Sequence, residues 1–183
     1  MPAEVKNAFK RCAFYFGGDQ AQVSWQEKLR SAFGALIGLA LVLVLAKYLG
    51  DLNGTNEWLI ASLGASALLV FAIPQSPMAQ PWAVIGGNSI SAVVGITLNH
   101  FVSEPFISMP AGVALSILGM FCLRCLHPPA AAVALIVISG QILHYRFALF
   151  PVLVDSVLLI VAGAIYNNLT GKRYPNRPPT SAH

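Results

Sequence analysis

Charge is what this sequence has least of. Only 10% of its 183 residues are Asp, Glu, Lys or Arg, whereas 56% are hydrophobic and mean hydropathy is +0.68. A soluble domain carries about 25% charged residues, because its whole surface must face water. Eleven basic and seven acidic side chains are too few for that in a 19.5 kDa chain. The shortage excludes an ordinary soluble enzyme, a disordered chain and a nucleic-acid-binding domain, in spite of the pI of 9.2. Cysteine is scarce too. Cys12, Cys122 and Cys125 cannot build a disulfide framework and read as small apolar side chains. The length allows one domain.

What is there instead is long uncharged stretches. No Asp, Glu, Lys or Arg occurs between Glu57 and Glu104, between Glu104 and Arg124, or between Arg124 and Arg146. A bilayer core about 30 Å thick takes about 20 apolar helical residues per crossing, and each gap holds at least one such length. Backbone in lipid must satisfy its own hydrogen bonds, which leaves helices or a closed barrel. The apolar runs are continuous and do not alternate, so helices are expected. The basic residues gather near the ends: Lys6, Lys10, Arg11, Lys28 and Arg30 before the first run, Lys172, Arg173 and Arg177 after the last. By the positive-inside rule both termini are cytoplasmic, and the number of crossings is even. The net charge of +4 then reflects topology and implies no nucleic-acid partner. Residues 1–28 show no apolar signal core, so the first transmembrane helix is expected to direct insertion.

The fold class predicted is all-α and polytopic, with four to six membrane segments. Residues 1–28 form an interfacial arm, 29–170 the transmembrane domain and 171–183 a disordered tail. Helices are expected at Leu29–Leu49, Trp82–Phe101, Ile107–Leu126 and Ala148–Leu169, with a turn at Gly50–Gly54. Trp58–Ile73 and Pro128–Gly140 are short and interrupted. Prolines at 74, 77 and 81 exclude a continuous helix there. Two halves, about 29–103 and 104–170, read alike as long, short, long. Leu63–Leu68 matches Leu126–Ala131 at an offset of 63 positions, and Asn88-Ser89 matches Asp155-Ser156 at 67. Gly95 matches Gly163, and Asn99 matches Asn167, at 68. If all six segments cross, the halves are inverted repeats. If segments 2 and 5 are re-entrant, four crossings remain; the distribution of the basic residues leans to six.

Paired short, Gly- or Pro-interrupted segments in two repeats point to a transporter's binding site. A helix opening at His127-Pro128-Pro129 aims the amides of Ala130 and Ala131, and its positive end, at an anion. Gly64-Ala65-Ser66 occupies the corresponding place and adds a hydroxyl; Gln80 and Asn88 are further donors. His127 offers a hydrogen bond or a proton. Arg124 either contacts the anion or snorkels to the headgroups. Asp155, the one acid inside a helix, is a candidate for proton coupling. Cys122-Leu123-Arg124-Cys125 lacks the ligand count for zinc and the adjacent His for haem, so no metal or cofactor is expected. No motif of an enzyme is present.

Four blocks in order resemble the HPP family of integral membrane proteins, over about residues 25–175. They are Gly64-Ala65-Ser66-Ala67; Ser76 to Pro81 with Gly86-Gly87-Asn88; His127-Pro128-Pro129-Ala130; and Asn168 through Arg173-Tyr174-Pro175. The family is usually described with four transmembrane helices, and some members are associated with nitrite transport. The resemblance therefore implies a small-anion permease. Where the family pattern has Arg-Asn after the Gln-Pro pair, this chain has Trp82-Ala83, leaving Arg124 as the basic side chain near the motif. The expected protein is a nitrite or similar anion permease of a bacterial-type inner (cell) membrane, with the lipid bilayer as surroundings and room for a homo-oligomer. The alternatives are a non-transporting sensor or scaffold with the same pocket, and a passive anion channel.

Overall fold

A computed structural model describes residues 23–53 and 62–176. The N-terminal arm up to residue 22, the end of the first turn and residues 177–183 of the expected tail lie outside the described residues. Helix α1 spans Trp25–Asn53, α2 Leu63–Ala72, α3 Pro81–Phe101, α4 Pro105–Cys122, α5 Ala130–Ser139 and α6 Val154–Leu169. Among the described residues there are no strands. Among the described residues, four stretches are long and apolar enough to cross a membrane: Trp25–Asp51, Pro81–Phe101, Pro105–Cys122 and Ala148–Leu169. Helices α2 and α5 have ten residues each. Ten residues make about 15 Å, half a bilayer core.

Local chemistry sets the ends. The Ser24 hydroxyl accepts from the Glu27 amide at 3.3 Å, so α1 starts at Trp25, inside the expected arm. It also continues through Gly50, correcting the expected turn there. A glycine costs a helix about 1 kcal/mol relative to alanine but does not by itself end it. Pro74 stops α2, and a single 3₁₀ turn at Pro77–Ala79 leads into α3 with Pro81 at its first position. Helix α4 ends at Cys122, not Leu126, because Arg124 takes a left-handed conformation (φ 53°) that turns the chain back. The expected helix at 148–169 is interrupted. Phe150 is extended (φ −136°, ψ 122°) just before Pro151, and regular α6 begins at Val154. The start of the tail is not loose either, since Tyr174 is buried.

The packing units differ from the halves in chain order. Helix α1 packs on α2 and α6, while α3, α4 and α5 pack on one another. Each group thus takes its third helix from the other half of the chain. The groups meet along α3, α6 and the irregular segment before α6. Within each, a glycine admits the half-helix closely: Gly163 faces Val70 of α2, and Gly95 faces Val137 of α5. An asparagine one turn further along donates to the half-helix's C-terminal carbonyls. Asn167 Nδ2 reaches Val70 O at 2.9 Å, and Asn99 Nδ2 reaches Val137 O at 2.9 Å. The apolar core, including Phe71, Val84, Ile96, Val133 and Leu159, lies between these elements.

Candidate functional site

At the start of α2, Ser62 and Leu63 are buried, and at the start of α5, Pro129 and Ala130 are buried. The N-terminal ends of the two helices come together. Ser66, in the first turn of α2, and His127, three residues before α5, are both fully buried, with Ser66 Oγ 2.8 Å from His127 Nε2. The other ring nitrogen, Nδ1, lies 2.8 Å from the Met78 carbonyl oxygen in the 3₁₀ turn. A carbonyl can only accept, so Nδ1 carries a proton. In the neutral ring, Nε2 then accepts from the Ser66 hydroxyl. Ser66 Oγ also lies 3.2 Å from Ser62 O. If Nε2 gains a proton, it donates to Ser66 Oγ, and the hydroxyl turns its own hydrogen to Ser62 O. The same heavy-atom positions therefore accommodate either protonation state of His127.

Gly87 of α3 makes room for the ring. A Cβ there would sit 2.7 Å from His127 Cβ, 3.0 Å from Cys125 O and 3.3 Å from Met120 Sδ. Next along α3, Asn88 Nδ2 donates to Ser156 Oγ of α6 at 3.0 Å, and Ser156 donates on to Val152 O at 2.8 Å. Both residues are fully buried, and Asn88 Oδ1 has no hydrogen-bond partner among the described residues. Asp155, beside Ser156, is also fully buried.

Of the residues singled out in the sequence, the fold brings Ser66 and His127 together and seats Pro129 and Ala130 beside them in the interior. Gly64, Ala65 and Pro128 are exposed, and a Cβ at Gly64 meets nothing within 4 Å among the described residues. Arg124 is exposed as well, on the turn before the buried histidine. The amides of Ala130 and Ala131 are not open donors, because they bond to His127 O at 2.9 Å and Pro128 O at 3.2 Å. Gln80 is engaged in holding the loop. Its Nε2 donates to Pro74 O and Ser76 O, and its Oε1 accepts from the Asn176 amide at 2.8 Å. What remains for an anion is the Ser66 hydroxyl, His127 Nε2–H in the protonated ring and the positive ends of two half-helices.

Some contributors escape a search for chemistry-bearing motifs. Met78 acts through its backbone, Gly87 through the side chain it lacks, and Ser156 through a partner 68 positions away. Tyr174 donates from its hydroxyl to Ala79 O at 2.7 Å, tying the segment after α6 beneath the 3₁₀ turn. Burial pushes the Tyr174 phenol up, so it stays protonated and a donor. Only the two glycines before Asn88 hint at close approach in the sequence itself.

Comparison with known proteins places these features in a family context. The family model described as the HPP transmembrane region matches residues 20–175. One transmembrane protein of Dictyostelium discoideum is 36% identical over 143 residues, covering 74% of this chain and 50% of that protein. A second from the same organism is 32% identical over 165 residues, covering 86% and 51%. The chain therefore spans about half the length of the curated relatives it matches. No solved structure matches it.

Proposed function

The chain belongs to the HPP family of transmembrane proteins, and on that premise we propose that it is a permease for a small inorganic anion, nitrite first among them. The observation that carries this reading is the 2.8 Å contact of the fully buried Ser66 Oγ with the fully buried His127 Nε2, at the N-terminal ends of the two half-helices. The dipoles of α2 and α5 both present their positive ends there, and His127, held neutral by burial, supplies a full counter-charge only when it takes up a proton with the anion. An anion takes up the Ser66 hydroxyl and the imidazolium N–H when the α1–α2–α6 and α3–α4–α5 groups part. His127 thus replaces Asp155 as the first candidate for proton coupling, with buried Asp155 as the second. The integral-membrane setting follows from family and composition. The Lys172–Glu27 pair, at 3.1 Å, joins the start of α1 to the segment after α6, and the basic residues there support a cytoplasmic side.

The test is uptake of nitrite into proteoliposomes, with nitrate, formate and chloride in parallel. Uptake by wild type, reduced by about tenfold or more in Ser66→Ala and His127→Ala, is the expected result. Background flux of all four anions through folded wild-type protein overturns the proposal.

A further inference from the structure

The two packed groups repeat each other at the C-terminal ends of their half-helices, with one informative difference. In the first group a guanidinium sits against the negative end of α2. Arg30 of α1 donates through Nη2 to Phe71 O at 2.8 Å and through Nη1 to Asn167 Oδ1 at 2.9 Å. Asn167 in turn donates to Val70 O. In the second group Asn99 occupies the place of Asn167, donating to Val137 O at 2.9 Å and to Ile142 O at 3.0 Å.

The register of α1 against α4 follows from two glycines. A Cβ at Gly34 would run into Phe71 and Tyr166, and a Cβ at Gly112 into Ile138 and Leu98. Phe71 and Ile138 hold matching positions in α2 and α5, as do Tyr166 and Leu98 in α6 and α3. Four residues before Gly34 is Arg30; four residues before Gly112 is Ser108. Ser108 is 1% exposed, and its hydroxyl forms no hydrogen bond among the described residues. Asn99 Oδ1, the counterpart of the atom that holds Arg30, likewise accepts none there. Both residues line a cavity of about 230 Å³ at the C-terminal end of α5, with Ser103 and Gln141 as further polar walls.

We propose that this cavity binds a small monovalent cation in the place where the other group carries the Arg30 guanidinium. The acceptors are Asn99 Oδ1, the Ser108 hydroxyl and the side-chain oxygens of Ser103 and Gln141, backed by the negative end of the α5 dipole. No carboxylate among the described residues lines the cavity, which suits one positive charge and not a divalent ion. The cation is an alkali ion or a planar guanidinium-type ion, and the two share these oxygen partners. Binding here does not depend on which anion, if any, occupies the Ser66–His127 site.

The experiment measures thermal unfolding of the full chain in detergent at fixed ionic strength and chloride. Sodium, potassium and low-millimolar guanidinium are titrated against bulky N-methylglucamine. We expect a saturable rise in Tm of about 2–4 °C with at least one of the three small cations. The cation that produces it tells an alkali ion from a guanidinium-type one. Ser108→Ala weakens the apparent affinity by about tenfold. Ser108→Arg, which supplies the guanidinium covalently, raises the starting Tm and removes the response. Equal Tm in all salts overturns the proposal, as does a response of unchanged affinity in Ser108→Ala. The alanine variant decides even if Ser108→Arg does not fold.

Discussion

Gly87 and Gly64 are the same residue type with opposite demands on them. At Gly87 a methyl group would press on His127 Cβ, the Cys125 carbonyl and Met120, so Gly87→Ala must push the imidazole away from Ser66 or shift α3. Overpacking of this kind costs about 1–3 kcal/mol. Gly64→Ala places its methyl on a helix where it meets none of the described residues, and there alanine is favoured by up to about 1 kcal/mol. Thermal unfolding of the two variants is expected to move in opposite directions, Gly87→Ala below wild type and Gly64→Ala level or above. The sequence made the chemistry of Ser66 and His127 visible, because a buried hydroxyl and an imidazole stand out in an apolar chain. Their contact was not visible. It joins residues 61 positions apart and depends on α2 and α5 pointing their N-terminal ends at each other.

The half-helices are too short to fix their own ends in lipid, so their terminal carbonyls need partners from elsewhere. Arg30 serves α2 by reaching Phe71 O and Asn167 while Glu27 holds the rest of its fork at 2.7 Å and 3.0 Å. A lysine has one nitrogen and cannot span these positions. Arg30→Lys is therefore expected to destabilise the protein by about 1–3 kcal/mol, measured by denaturation in detergent. At the other side of the break, Tyr174→Phe strands the buried Ala79 carbonyl and is expected to cost about 1–2 kcal/mol in the same assay. The existence of α2 and α5 was legible from proline and from apolar length. Their capping was not, since Arg30 reads as a topological charge and Tyr174 as part of a polar tail until the fold places them.

The exchange of α3 and α6 between the packing groups sets where the molecule divides. Because α3 packs with α4 and α5, and α6 with α1 and α2, the bodies that could move are not the N- and C-terminal halves. Their seam runs along α3 and α6, where Asn88 bonds to Ser156 and both are fully buried. If transport requires the groups to part, this seam must rearrange while contacts inside each group persist. Cysteines at Asn88 and Ser156, in a background with the native cysteines replaced, place a removable tie across it. Oxidation is expected to stop nitrite uptake by the double variant in proteoliposomes, and reduction to restore it, with both single variants indifferent to the treatment. Uptake that continues at the same rate through the oxidised, verified cross-link would mean that α3 and α6 move as one body. The moving boundary would then lie elsewhere, with the contact between Ser66 and His127 as the remaining place for it to open.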